Sequence, residues 1–229
     1  MPDLSPLWLT LLTSFCAVLL VVPIGTFFAW KLAQWRPNAF KHVLETLLFL
    51  PMVIPPSAVG YTLLLLFGER SPFGHWLNGI GIHLIFTWQA AAIAAAVIAA
   101  PLYIRTVSSA LASVDPELLE AGRTLGATES SLLRFVTLPL ASRGLLAGLT
   151  LAFARAMGEF GATFMVAGSI PGQTQTLPLA LYSATQSGRD HDALTYTIII
   201  VMIAFMLLLV AGTQERHLYA SHKQVSKEP

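Results

Sequence analysis

Charge and cysteine are what this chain of 229 residues has least of. Only 11% of its residues are Asp, Glu, Lys or Arg, against roughly a quarter in soluble domains, which excludes an ordinary water-facing globule. The formal net charge is +1, too small for a nucleic-acid surface. The single cysteine, Cys16, lies in an apolar run, so no intramolecular disulfide can form and a buried thiol is expected. His42, His75, His83, His191, His217 and His222 fall at no metal-ligand spacing, so no metal site is expected. The chain also lacks a G-x-x-x-x-G-K-[ST] phosphate loop, so any ATP chemistry must belong to another polypeptide. The opening MPDLSPLWLTLL carries an aspartate and no basic residue, unlike a secretory signal, and reads as the start of a retained span.

What the chain has is grease: 55% hydrophobic residues and a mean hydropathy of +0.68. A helix needs about 20 apolar residues to cross roughly 30 Å of hydrocarbon. Five stretches qualify, at 7–30, 44–67, 84–104, 138–166 and 194–212. Trp8 and Trp30 mark the ends of the first, where indoles favour the interface. Pro51, Pro55 and Pro56 break the second. A sixth span would require splitting that second stretch or using 177–185. The expectation is an all-α polytopic membrane helix bundle with five spans, six at most. The alanine run at 90–100 and the pair Gly144 and Gly148 put small residues at helix spacing, where they let backbones approach.

Basic residues set the orientation. Ten of the thirteen, namely Lys31, Arg36, Lys41, Arg105, Arg123, Arg134, Arg143, Arg216, Lys223 and Lys227, fall on one side of such a five-span path. Arg70 and Arg189 fall on the other, and Arg155 lies inside the fourth stretch. The positive-inside rule makes the first side cytoplasmic, with the amino terminus outside and the carboxyl terminus inside.

The cytoplasmic segment 113–139 is polar and patterned. Asp115-Pro116-Glu117 is a helix start, with an N-cap acid, proline at the first helical position and an acid facing the dipole. Leu118, Leu119, Ala121 and Leu125 give an apolar strip, and Gly126 is placed to end the helix. Thr128 is placed to cap a second short helix to Val136, before Leu138-Pro139 turns the chain into the fourth span. A nucleic-acid helix-turn-helix would need a basic second helix, and 129–135 holds one arginine. Two readings remain, an interfacial connector or a helix that docks on a cytoplasmic protein.

Arg155 and Glu159 are costly inside a span, about 2.5–3.5 kcal/mol each at a helix centre. Their i,i+4 spacing lets them pair. Either they form a structural pair or they belong to a gate or wet cavity, with Gly158 and Gly161 on either side allowing close approach. The proline-broken 51–60 is similarly open, as a packing kink or as a lining segment.

Glu120-Ala121-Gly122, three residues, Gly126, nine residues, Val136, one residue and Leu138-Pro139 resemble the cytoplasmic signature E-A-A-x3-G-x9-I-x-L-P of bacterial ABC importer permeases. Gly122 for alanine and Val136 for isoleucine are the departures. FARAMGEFGATFMVAGSIPGQTQTLPLALY (153–182) and LPMVIPPSAVGY (50–61) resemble the molybdate-type permeases, with the R-x-x-G-E-F-G-A-T part shared with sulfate permeases. The resemblance implies a type I ABC importer permease fold, with a transmembrane domain at 7–213 that contains the coupling segment 113–139, and a cytoplasmic tail at 214–229. It implies docking through Glu117, Leu118, Glu120, Ala121, Gly122 and Gly126 onto two copies of a cytoplasmic ABC ATPase, which holds the ATP and magnesium; the chain itself is not an enzyme. A homodimer in the bacterial inner membrane is implied, five spans being few to enclose a route alone. A periplasmic molybdate-binding protein would deliver the anion, with tungstate as a poorly discriminated analogue. Ser57, Arg155, Gly158, Glu159, Gly161 and Thr163 are the pathway or gate candidates, offering mostly neutral donors because a tightly held dianion would be trapped.

Sulfate or thiosulfate is the alternative cargo. A secondary anion transporter would show repeated broken helices, and the sequence shows one proline-broken span without a matching partner. A membrane subunit without transport is the third class, and both rivals would purify without an ATPase. The orientation makes a direct prediction. Cysteines placed at Asn78 or Gln175 should react with an impermeant thiol reagent outside intact cells, and one at Ser130 should not. Labelling at Ser130 would invert the topology.

Overall fold

The computed structural model describes residues 3–35 and 37–225, with side chains to residue 209. Of the cations counted above, Arg36 and Lys227 lie outside the described residues, as do the side chains of Arg216 and Lys223. The whole of the tail at 214–229 is likewise without described side chains. The chain runs through α1 (Ser5–Gln34), α2 (Ala39–Val53), α3 (Pro56–Phe67), α4 (Pro72–Gly79), α5 (Trp88–Ala112), α6 (Pro116–Thr124) and α7 (Glu129–Leu132). A π-helical turn (Leu133–Thr137) leads to α8 (Leu138–Leu140), α9 (Ser142–Met157), α10 (Gly161–Ala167), α11 (Leu177–Gln186) and α12 (Asp190–Val225). Among the described residues there is no strand, so the all-α expectation holds.

Helices α1, α5 and the 190–209 part of α12 are each long and apolar enough to cross a membrane. Two further crossings exist only if bent pairs are counted, α2 with α3 at 110° and Glu129–Leu140 with α9 at 74°. The second pair bends at Ala141, just past the turn expected at Leu138-Pro139. The α2–α3 break sits at Ile54-Pro55, not at Pro51, which stays inside α2. Ile54 is extended, with ψ 140°, because a following proline disfavours the helical region for the residue before it. Pro56 then starts α3 at the position where its missing N–H costs nothing. The stretch 177–185 does form a helix, α11, but its ten residues reach only about 15 Å, half a crossing.

The core is built on small residues. Ala91, Ala94, Ala95 and Ala99 of α5 are buried, and around them pack α1, α9 and α10. A Cβ on Gly25 of α1 would lie 2.6 Å from the Tyr103 ring, and one on Gly148 of α9 3.0 Å from Val107. A Cβ on Gly144 would collide with Ala110. Tyr103 is buried, and its hydroxyl shares a 2.8 Å hydrogen bond with Thr26. The large apolar side chains point the other way: Phe15, Leu19, Val201 and Phe205 are more than half exposed. Lipid is as apolar as leucine, so this reversal of a soluble core is what a membrane requires.

Long-range polar contacts fix the irregular parts. Thr10 of α1 accepts from the Leu177 N–H at 2.7 Å, capping α11 from 167 residues away. The Phe86 N–H donates to the Val166 carbonyl at 2.9 Å, tying the loop before α5 to α10.

Helix α3 meets α10 through Gly60, whose added Cβ would lie 2.7 Å from the Ala162 backbone. A backbone atom cannot rotate aside, so Gly60→Ala should cost about 1–3 kcal/mol by overpacking. Gly79→Ala, with nothing within 4 Å of its Cβ, is the control. Thermal melting of the purified protein should drop for the first and not for the second; equal melting would refute this packing.

Candidate functional site

Helix α6 forms as its sequence directs. The Asp115 carboxylate accepts from the Glu117 N–H at 2.9 Å, and Pro116 occupies the first helical position. At the other end Gly126, with φ +83°, donates to the Arg123 carbonyl at 2.9 Å, and Ala127 donates to Gly122 at 3.0 Å. Those two bonds make a Schellman cap, which needs a left-handed residue at the Gly126 position. Glu117, Leu118, Glu120, Ala121, Leu125 and Gly126 are exposed, and Leu119 turns inward against the core. The helix therefore shows one mixed acidic and apolar face to whatever lies below it.

Gly122 has a local reason for not being alanine. A Cβ there would lie 2.5 Å from Cδ2 of Leu132, which is buried. Arg123 Nε donates to Glu129 Oε1 at 2.7 Å and its Nη2 to Oε2 at 3.3 Å. Gln34, at the end of α1, reaches the same carboxylate at 3.5 Å. This bridge escaped sequence reasoning because a six-residue separation matches no helix period; only the glycine turn brings the two side chains together.

The turn expected at Leu138-Pro139 is elsewhere. The helix continues through the π-helical turn to Leu140, and the chain bends at Ala141. In an α-helix the Pro139 ring would press on the Phe135 carbonyl. The wider turn relaxes that contact, and the Leu138 N–H bonds the Leu133 carbonyl five residues back.

The other polar centre is the junction between α9 and α10. Arg155 Nη1 donates to Glu159 Oε2 at 3.0 Å, and the Ala162 N–H donates to Glu159 Oε1 at 2.8 Å. Arg155 stands in the last turn of α9 and Glu159 just before α10, each opposite the helix-end charge it complements. The two differ sharply in exposure, with 2% of the Glu159 side chain exposed and 36% of Arg155. The structure also brings Gly161 against α3, where an added Cβ would be 3.1 Å from the Ser57 N. Ser57 and Gly158 are exposed beside this junction. Thr163 is buried and its hydroxyl donates to the Phe160 carbonyl at 2.9 Å, so it presents no free donor to the outside. Unforeseen in the sequence is an aromatic group next to it, Phe160, Phe164 and Tyr182, with ring centroids 5.2–6.1 Å apart. Its only sequence signal was the i,i+4 spacing of the two phenylalanines.

A bundle with a short capped helix and broken inner helices has known counterparts. Residues 21–216 match the family model for the binding-protein-dependent transport system inner membrane component. The chain is 41% identical over 212 residues to the Escherichia coli (strain K12) molybdenum transport system permease protein ModB, covering 92% of each chain. It is 39% identical to the putative molybdenum transport system permease protein YvgM of Bacillus subtilis (strain 168), covering 93% of this chain and 94% of that one. A sulfate transport system permease protein of Escherichia coli, CysT, is 35% identical over 87% of this chain and 72% of its own. Among solved structures, the inward-facing MetNI methionine ABC transporter superposes with a TM-score of 0.71 at 21% identity, covering 93% of this chain and 94% of that one. The fold is that of type I ABC importer permeases. The chain belongs to the binding-protein-dependent transport system inner membrane component family, the multi-pass membrane subunits of ABC importers whose ATPase is a separate partner.

Proposed function

We propose that this chain is the permease subunit of an ATP-driven importer and forms the membrane pathway for molybdate, with tungstate as an analogue of the same shape and charge. The observation that carries the reading is the kinship with molybdenum permeases over nearly the whole of both chains. The weaker and partial match to a sulfate permease favours molybdate over sulfate or thiosulfate. Two copies of the chain enclose the route along their two-fold axis, each with five spans, the amino terminus outside and the carboxyl terminus in the cytoplasm of a bacterial cell. Each copy seats its 113–139 segment on one of two cytoplasmic ATPase subunits, which hold ATP and magnesium. A periplasmic molybdate-binding protein delivers the anion. The transmembrane domain occupies 7–213, and 214–229 is a cytoplasmic tail. Uptake of labelled molybdate by cells expressing the importer should be competed strongly by tungstate and weakly by sulfate; equal competition by sulfate would overturn the assignment of cargo.

Docking through Glu117, Leu118, Glu120, Ala121, Gly122 and Gly126 is supported by the exposed face of α6 and its cap. Glu120→Arg changes only an exposed charge, and Gly126→Val forces a β-branched residue into φ +83°. Both variants should insert normally yet lose ATPase co-purification and transport by about tenfold, a difference of 1.4 kcal/mol. Normal transport by both would remove the docking role.

At the junction, Glu159 holds α9 to α10 while Arg155 turns its remaining N–H groups, together with Ser57 and Gly158, toward the route. The unequal exposure of the pair supports this division. Glu159→Ala uncaps α10 and leaves Arg155 unpaired, so dimer yield should fall, the loss of stability being somewhat less than the about 3–5 kcal/mol of a fully buried pair because Arg155 is partly wet. Neutralising both with glutamine should restore yield but leave molybdate-stimulated ATP hydrolysis impaired. Full stimulation in that double variant would make the pair purely structural.

A further inference from the structure

Helix α4 lies away from both polar centres, in the stretch of chain between α3 and α5. It is fixed to the end of α3. Pro72 takes its first helical position, the Ser71 hydroxyl accepts from the Gly74 N–H at 2.7 Å, and the same hydroxyl donates to the Leu66 carbonyl. A Cβ on Gly74 would run into the Phe67 and Gly68 carbonyls, so the helix sits hard against the α3 terminus. A cavity of about 470 Å³ joins its Asn78 to Arg70, His83, Leu84 and Phe86, the last two just ahead of α5. Helix α4 therefore stands at the level of the first turn of α5. The 25 residues of α5 reach about 37 Å, enough to cross the hydrocarbon. That level is one surface of the bilayer, at the end of the bundle opposite the 113–139 segment.

Around its axis α4 is divided into three sides. Gly74 and Leu77 are buried and mark the inner direction. At about 100° per residue, Phe73 and Trp76 lie about 70° and 130° round one way, and Asn78 and His75 the same angles round the other. Trp76 is 58% exposed and Phe73 43%. Their rings stack at 6.0 Å, and Phe73 meets Phe67, the last residue of α3, at 5.8 Å. Asn78 lines the cavity with Glu69, Arg70 and His83, whereas Phe73 and Trp76 do not. The polar side thus turns to a cavity that holds charged groups, and the aromatic side faces away from it. The row Phe67, Phe73, Trp76 continues the apolar end of a membrane helix onto α4. Aromatic rings favour the headgroup level of a bilayer, and a helix with segregated apolar and polar sides lies in that plane.

We propose that α4 is an interfacial helix seated in the phospholipid leaflet, with Phe73 and Trp76 at the boundary between headgroups and acyl chains and with His75 and Asn78 toward water. The level of α4 and the row of rings running on from α3 identify the occupant as lipid. Its contact with the α3 terminus makes it an anchor that ties that end of α3 to the bilayer surface. The role depends neither on the cargo nor on the ATPase.

The test uses the intact transporter, purified with its ATPase and reconstituted into dioleoylphosphatidylcholine vesicles. Cys16, the single cysteine, is replaced by alanine, and Trp76→Cys, Phe73→Cys or His75→Cys then carries a small fluorescent label. Labels at 76 and 73 should lose fluorescence when the lipid is brominated near the headgroup end of its chains, and lose less when it is brominated near the methyl end. Both should be shielded from aqueous iodide. The label at 75, on the polar side, should show the reverse, quenched by iodide and little affected by bromine. Phe73→Cys gives the same reading should Trp76→Cys assemble poorly. Iodide quenching at 73 and 76 as strong as at 75 would place the aromatic side in water and overturn the proposal. Shielding of 73 and 76 from both quenchers would mean that protein covers them, a second copy or a delivering partner, and would overturn it as well. No arm measures transport, so failure here is separable from failure of the molybdate reading.

Discussion

In hydrocarbon nothing squeezes one helix against another, so how near two backbones can come decides how firmly they hold. Along α5 that distance is set by alanine. Its buried face is alanine from Ala90 to Ala99 with Ile98 the one larger side chain, which allows α1 and α9 to lie against one side and α10 against another. Gly25, Gly144 and Gly148 supply the matching hollows on the neighbours. Everything described at the two polar centres hangs from this contact. The end of α5 passes within three residues into the Asp115 cap, and α9 carries Arg155 at its far end.

Three interruptions among the described helices are closed by a definite partner. Glu159 takes up an N–H at the start of α10, Thr10 takes up that of Leu177, and Val166 receives the N–H of Phe86. Unpaired backbone groups are expensive at membrane depth, so irregular chain survives there only where it is satisfied or wet. The interruptions therefore bring polar groups and adjustable backbone into the bundle without surrendering the fold. The segment 113–139 obeys the same logic, since a cap, a glycine turn and the Arg123–Glu129 bridge hold a short helix that could not persist alone.

Much of this was legible in the residues. Apolar length and the alanine run marked α1, α5 and α12, and the Asp-Pro-Glu start and Gly126 end of α6 are where their chemistry puts them. Pairing of Arg155 with Glu159 followed from spacing. What could not be read was tertiary in origin. Pro51 is a helix breaker on paper, yet α2 runs through it and stops at Ile54, because Pro55 constrains its predecessor more severely. Leu138-Pro139 looked like a turn, and a π-helical turn absorbed it. Thr163 read as a free donor and instead bonds its own helix, a common resort for threonine hydroxyls at low water activity. Gly122, a departure from the permease signature, makes sense only once Leu132 is seen beside it.

The π-helical turn between α7 and α8 holds one residue more than the α-helical path it replaces. Each residue of an α-helix advances the chain by about 100° around the axis. Excising a single residue from Leu133–Thr137 would therefore leave the helix continuous but swing α6 about 100° around it, carrying Glu120 and Leu118 off the face they now present. The segment's length in residues acts as a phase setting: its register, as much as its composition, fixes the direction in which α6 presents its exposed face.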